Sequence, residues 1–283
     1  MTDHIAGKTI VITGAGGGFG RLVAQKAAAR GAKVTCGDID AAAVRETADL
    51  ITASGGQAQA LAADVTRLED LVALVRASTD AFGGVDVMVN NAGIMPLAFF
   101  SDHAAAHAAW SRCIDINIKG VLNGMVAAYD PMIAAGRGQI VNISSIYGNF
   151  PVVGAAVYGA SKAAVNFLSE SFRMETRGKI KVTTVKPTGV PATGLGAAIV
   201  NPAAVVGILG HNMPEFMAAM GALNEANGEE GNLAGGRLDP EEMDYLALAP
   251  EHIADAVLHA IDQPWGVSIG EITVRAAGDH YIL

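Results

Sequence analysis

The stretch that decides the fold is Lys8-Thr-Ile-Val-Ile-Thr13, followed by Gly14-Ala-Gly-Gly-Gly18-Phe-Gly20 and then Arg21-Leu-Val-Ala-Gln-Lys-Ala-Ala-Ala-Arg30. A short β-branched run leads into a glycine loop, and the loop opens a segment whose apolar residues recur at helical spacing. Strand, glycine turn and helix N-terminus together make a cradle for phosphate, because the first main-chain N–H groups of a helix point outward and carry its positive dipole end. In such a cradle Gly14 permits the tight turn, Gly18 lets the main chain approach a pyrophosphate, and Gly20 lets the helix pack closely on the sheet. The position of the loop, between strand and helix, argues against an ordinary surface turn.

Working outward, a second strand, Lys33-Val-Thr-Cys-Gly37, ends at Asp38, about twenty residues beyond the glycines. An acid there accepts hydrogen bonds from the adenosine ribose hydroxyls of a dinucleotide and repels a 2′-phosphate. No Arg or Lys lies within the glycine loop or directly after Asp38, so the reading is NAD rather than NADP. Asp40 is the better cap for the next helix, which leaves Asp38 for the ribose.

The alternation continues. Strands are expected near 8–13, 33–37, 57–62, 85–89, 139–143, 180–186 and 268–274. Helices are expected at 18–30, 41–53, 67–81 and 251–262, with a long helical zone over 103–135 and another helix over 156–177. This pattern predicts an α/β fold: a single-domain, doubly wound parallel sheet of Rossmann type spanning 1–283, with helices on both faces. Ligands in such sheets bind at the carboxyl ends of the strands.

The chemistry is carried by Tyr158 and Lys162. Residues four apart share one face of a helix, and a cation beside a phenol pulls the tyrosine pKa down from about 10. Tyr158 is thereby a candidate general acid/base. Ser145 lies thirteen residues upstream.

On these residues the chain resembles the short-chain dehydrogenase/reductase family over almost its whole length. Thr13-Gly14-x-x-x-Gly18-x-Gly20 is similar to its cofactor motif, with Phe19 in place of a smaller aliphatic residue. Asp64-Val65 resembles the pair that touches the adenine, and Asn90-Asn91-Ala92-Gly93 matches a family segment. Asn117, Ser145, Tyr158 and Lys162 match the catalytic tetrad in order and spacing.

The resemblance implies that Tyr158 exchanges a proton with the substrate oxygen and that Ser145 hydrogen-bonds it. It implies that Lys162 binds the nicotinamide ribose and lowers the Tyr158 pKa, and that Asn117 holds a water relaying protons from Lys162. Asn91, Ala92, Gly93, Pro187 and Val190 would join Gly14, Gly18, Phe19, Gly20, Asp38, Asp64 and Val65 around the cofactor. One departure stands out: Val185-Lys-Pro187-Thr188-Gly189-Val190-Pro191-Ala192-Thr193 has Thr188 where the family has glycine, and either Thr188 or Thr193 could meet the nicotinamide.

Composition narrows the alternatives. With 51% apolar and 17% charged residues the 283-residue chain can bury a large core. Its net charge of −9 argues against nucleic acid or an anionic membrane as partner. No apolar run reaches the ~20 residues of a membrane helix, the start lacks a signal-peptide pattern, and Cys36 and Cys113 suit a reducing compartment, so a cytoplasmic location is expected. The histidines form no metal-ligating set, and no metal is expected.

The connection 188–249 is long and largely apolar, with Phe216, Met217 and Met220, and turns polar and glycine-rich from Asn224 to Gly236. Asn201-Pro202 and Asp239-Pro240 read as helix starts. It is either a lid over an apolar substrate or a surface packed on the body or on another subunit. Met95, Leu97, Ile146, Phe150 and Val152 flank the motifs and are expected to line the same pocket, with Met95, Ser145, Phe150 and Tyr158 on the substrate.

The expected activity is NAD-dependent interconversion of a small-molecule secondary alcohol and ketone, of terpenoid, steroid, alicyclic or aryl type. A non-catalytic NAD-binding sensor or scaffold, and an epimerase or dehydratase on the same fold, are the alternatives. The resemblance also implies a homo-oligomer, dimer or tetramer, built on the two long helices and the C-terminal tail.

Overall fold

The β-branched runs form strands because their side chains can be buried on both faces of a parallel sheet. A computed structural model describes residues 3–190, 193–226 and 238–282 of the chain. Its strands are β1 (Thr9–Thr13), β2 (Lys33–Asp38), β3 (Gln57–Ala62), β4 (Val87–Asn90), β5 (Gly138–Ile143), β6 (Ile180–Pro187) and β7 (Glu271–Val274). They make one parallel sheet in the order β3-β2-β1-β4-β5-β6-β7, the doubly wound arrangement expected from the alternation. The order reverses between β1 and β4, and the glycine loop lies at that switch point.

Successive residues of β1 divide the core. Ile10 and Ile12 pack on one face with α1 (Gly18–Ala29), α2 (Ala41–Ala53) and α9 (Pro250–Ile261). Val11 points to the other, where α3 (Leu68–Phe82), α5 (Gly120–Ala134) and α6 (Ala156–Glu175) close the second layer through Leu71, Leu74, Met125, Met132 and Val165. Asp40 caps α2, its carboxylate accepting from the N–H groups of Ala42 and Ala43, as its position after Asp38 implied.

The zone expected to be one helix over 103–135 is broken. α4 (His103–Ile114) runs into a π turn over Asp115–Lys119, in which the Gly120 N–H reaches back five residues to the Asp115 carbonyl, and α5 follows. Beyond β6 the chain makes short 3₁₀ turns at Gly194–Ala198 and Pro202–Val205, then α7 (Val206–Leu209) and α8 (Met213–Ala226). Asn201 caps the second of these turns by accepting from the Ala203 N–H. Asp239 initiates a turn rather than the expected helix: its carboxylate takes the Glu241 N–H and its carbonyl the Glu242 N–H, and no helical repeat follows. The expected polar loop divides, since Asn224–Ala226 close α8 and 227–236 lie outside the described residues, as does the side chain of Met220.

The tail folds back onto its own chain instead of projecting away. Ile282 donates its N–H to the Ile208 carbonyl. Asn212 Nδ2 donates to the His280 carbonyl at 3.0 Å, and His280 stands 3.5 Å from the Glu215 carboxylate. Among the described residues no helix is long and apolar enough to cross a membrane.

Candidate active site

The carboxyl ends of β1, β2, β4, β5 and β6 open into one cleft of about 740 Å³, lined at one end by the glycine loop and at the other by Tyr158 and the segment after β6. Gly14 takes φ +65°, and a Cβ there would stand 2.9 Å from the Ala92 Cα; one on Gly20 would collide with the Gly14 carbonyl. Both positions therefore demand glycine, Gly14 for its backbone conformation and both for close packing. Gly17 and Gly18 differ: among the described residues nothing lies within 4 Å of where their Cβ atoms would be. No side chain caps α1 at Gly17, so its first N–H groups face an open, glycine-lined space, as an anion site requires.

The loop is braced from both sides. Asn91 Nδ2 donates to the Thr13 and Gly14 carbonyls at 2.9 and 3.1 Å. Asp38 accepts the Gly16 N–H at 2.8 Å and the Asp40 N–H at 3.0 Å, one on each carboxylate oxygen. Asp38 is thus not wholly free for a ligand, but each oxygen retains acceptor capacity and the side chain lines the cleft. Arg21, just past the loop, is engaged by the Gly16 carbonyl and by Glu46, each at 2.6 Å. Phe19, Asp64, Val65, Ala92 and Gly93 also line the cleft.

At the other end, α6 presents Tyr158 and Lys162 inward, 3% and 4% exposed. The Lys162 ammonium donates to the Ile143 carbonyl at 2.9 Å and lies 5.8 Å from the Tyr158 ring centre. Burial pushes Lys162 down to about 8. Burial also raises Tyr158 above its ordinary value, and a hydrogen bond with Ser145 opposes this. In the protein alone burial sets the direction for both groups, because desolvation penalises each charged form.

Ser145 and Ser144 differ in how their hydroxyls are used. Both serines line the cleft, but the Ser144 hydroxyl donates to Asn166 Oδ1 at 2.7 Å, while the Ser145 hydroxyl accepts the Tyr147 N–H at 3.2 Å. Asn117 sits in the π turn, fully buried. Its amide oxygen accepts the Ile94 N–H at 3.0 Å and its amide nitrogen donates to the Ile94 carbonyl at 2.9 Å. A Cβ on Gly93 would stand 3.2 Å from Asn117 Oδ1 and 3.6 Å from Lys162 Nζ, so the two groups meet at Gly93.

The apolar end of the cleft includes Met95, Leu97 and Ile146, as expected, and also Ile199, Ile208 and Phe216 from beyond β6. Phe150 is a correction: it is 58% exposed and outside the cleft. The Ser145-capped turn over 146–148 carries the chain to the surface before Phe150 is reached. Val152 packs beneath, against Ala204 and Ile208, and Met217 points outward.

Two lining residues escape a motif-based reading. Tyr147 packs edge-on against Tyr158, ring centres 5.5 Å apart, and Tyr281 arrives from the tail. Tyr281 explains the departure after β6, because a Cβ on Gly189 would collide with its phenol. The glycine is displaced to 189 where the phenol lies, and Thr188 takes the preceding position.

A profile of the short chain dehydrogenase family matches residues 8–203. The chain belongs to that family. It is 34% identical over 270 residues to an uncharacterised oxidoreductase of Listeria innocua, covering 95% of this chain and 96% of that one. It is likewise 34% identical over 192 residues to a 2,5-dichloro-2,5-cyclohexadiene-1,4-diol dehydrogenase of Sphingobium indicum, covering 67% of this chain and 76% of that one. Among solved structures, a short-chain dehydrogenase/reductase from Burkholderia phymatum in complex with NAD superposes with a TM-score of 0.73 at 28% identity, covering 96% of this chain and 90% of that one. A metagenomic short-chain oxidoreductase in complex with NADP superposes with a TM-score of 0.70, also at 28% identity, covering 96% of this chain and 98% of that one.

Proposed function

We propose that this short-chain dehydrogenase interconverts a secondary alcohol and a ketone with NAD, Tyr158 being the proton-transferring group. The observation that carries the reading is a buried phenol that shares its cleft with Ser145 and has the Lys162 ammonium 5.8 Å from its ring centre, at the far end of a glycine-lined space. The residues present fit a nicotinamide dinucleotide: an uncapped helix N-terminus for pyrophosphate, Asp38 for ribose, and a threonine for the carboxamide. Thr188 is favoured for the last, since its hydroxyl is buried without a partner among the described residues while Thr193 donates to the Val190 carbonyl at 3.3 Å. Pro187 and Val190 flank it. NAD is favoured over NADP because the Asp38 carboxylate is fixed facing the cleft and Arg21, the neighbouring cation, is neutralised by Glu46.

When bound, the nicotinamide supplies or accepts the hydride. Ser145 orients the substrate oxygen, and Tyr158 gives its proton to that oxygen during reduction or takes it back during oxidation. The raised Tyr158 value suits proton donation at neutral pH, and alcohol oxidation gains as pH rises. The Asn117 side-chain amide is spent on Ile94, so a water relaying protons from Lys162 would be held there by the main chain of the π turn. The segment 188–249 serves as lid within one catalytic domain. Its described portion contributes mainly apolar side chains, which together with the cyclic substrate named for the Sphingobium relative favours an alicyclic or related alcohol.

The chain acts as a cytoplasmic homo-oligomer in this reading. Leu122, Val126 and Tyr129 on α5 and Phe167 and Met174 on α6 stand exposed at helical spacing, and the Tyr129 and Phe172 rings join the two helices.

Tyr158→Phe tests the assignment. It keeps the ring packed on Tyr147 and removes the hydroxyl. Turnover is expected to fall at least a thousandfold with NAD binding retained; a variant that still turns over refutes the assigned acid/base.

A further inference from the structure

Tyr147 and Tyr281 bring two phenols into the same apolar end of the cleft as Tyr158. They come from unrelated parts of the chain, one from the turn after β5 and one from the tail, and both pack against the Ile146, Ile208 and Leu209 cluster. Among the described residues neither phenolic hydroxyl has a hydrogen-bond partner, and neither is sealed from the cleft. Both rings are largely withdrawn from water, and burial pushes Tyr281 up to about 12 and Tyr147 higher still, each staying a neutral donor at ordinary pH.

Packing alone would be served by phenylalanine at both places. A hydroxyl in an apolar pocket costs free energy unless something pairs with it. Polar groups set into an otherwise apolar pocket are what orient a ligand. The proton-transfer chemistry already uses Ser145, Tyr158 and Lys162 and leaves these two hydroxyls over. Gly189 points the same way, since the main chain gives up a side chain where the Tyr281 phenol lies.

We propose that Tyr147 and Tyr281 form a polar subsite for a second oxygen on the substrate, so that this enzyme acts on an apolar ring carrying two oxygen functions, a cyclic diol or hydroxyketone, rather than on a simple cyclic alcohol. The inference rests on the proposed alcohol–ketone chemistry at Tyr158 and adds to it the recognition of a group that does not react. A site built to pair a hydroxyl discriminates against the analogue that lacks it, because its own donors are then left unpaired.

The test compares cyclohexane-1,4-diol and cyclohexane-1,2-diol with cyclohexanol, using NAD and the wild-type, Tyr147→Phe and Tyr281→Phe proteins. The wild type is expected to prefer a diol. The diol-to-cyclohexanol ratio of kcat/KM is expected to fall about tenfold in each variant, the worth of one hydrogen bond. Absence of a diol preference in the wild type overturns the subsite, as does a ratio that survives both substitutions; a fall in one variant alone overturns the pairing. If the wild type turns over none of the three alcohols, that counts against the proposed activity, and the same ratio is then read from dissociation constants by calorimetry in the presence of NAD, with the same outcomes deciding.

Discussion

Replacing Lys162 with methionine should make the ligand-free protein more stable at neutral pH while removing its activity. The ammonium is almost fully buried, and burial lowers it from 10.5 to about 8. At about 1.4 kcal/mol for each tenfold change in proton affinity, keeping that charge in the folded state costs about 3 kcal/mol. The direction follows from proton counting. Below pH 8 the lysine is charged in both states and the full cost is present. Between 8 and 10.5 the unfolded chain binds the proton more tightly than the folded one, so stability rises with pH across that window. The cost has shrunk to about 1 kcal/mol by pH 10.

Methionine matches the lysine stem in length and is at home in an apolar site, but it leaves the Ile143 carbonyl without the Lys162 donor. That loss subtracts about 1 kcal/mol. Lys162→Met should therefore gain about 2 kcal/mol at pH 7 and close to nothing at pH 10. Urea unfolding of both proteins without cofactor, at the two pH values, measures this directly. A variant less stable than the wild type at pH 7, or a difference that does not change with pH, would refute the view that Lys162 is held charged against its surroundings.

Three further outcomes follow from the same structure. Asp38→Ala should raise the KM for NAD at least tenfold and narrow the preference over NADP, measured by steady-state kinetics with each cofactor; an unchanged NAD/NADP ratio refutes the ribose role. Cys36 is buried and pushed up to about 12, and burial raises Cys113 as well. Neither thiol should react with a disulfide reagent at pH 8 until the chain unfolds, and prompt labelling of the native protein would count against their burial. Phe167, 76% exposed on α6, should matter more to assembly than to folding: Phe167→Glu is expected to lower the mass seen by light scattering with little change in the melting temperature, and a wild-type protein of monomer mass ends the oligomer reading.

What could be read in advance was local. The strand, glycine loop and helix at 8–30 follow one another in the chain, so the cradle is visible without a fold. Asp40 as cap follows from its offset of two residues from Asp38. Features set by distant packing were not visible. Tyr281 enters the cleft only because the tail returns over α7 and α8, and that contact alone accounts for glycine at 189. Phe150 looked like pocket lining by its nearness to Ser145, but a short turn decides which way it faces. Burial raises Tyr158 in the protein alone, and depth of burial, unlike a neighbouring cation, cannot be read from spacing. The π turn left no compositional mark, since Asp115–Lys119 contains nothing a regular helix would refuse.

That turn makes the enzyme sensitive to chain length where it tolerates composition. Each residue of a regular helix advances the face by about 100°, and the five-residue reach from Asp115 to Gly120 absorbs one residue more than a regular turn would. A single deletion there would yield a smoother helix with better main-chain geometry. It would also swing the Trp110 and Cys113 face of α4 by nearly a third of a turn against α5 and carry the Asn117 amide away from Ile94. Random substitution can leave this joint intact, whereas loss of one codon cannot, so the irregular piece should outlast the regular helices around it as the chain drifts.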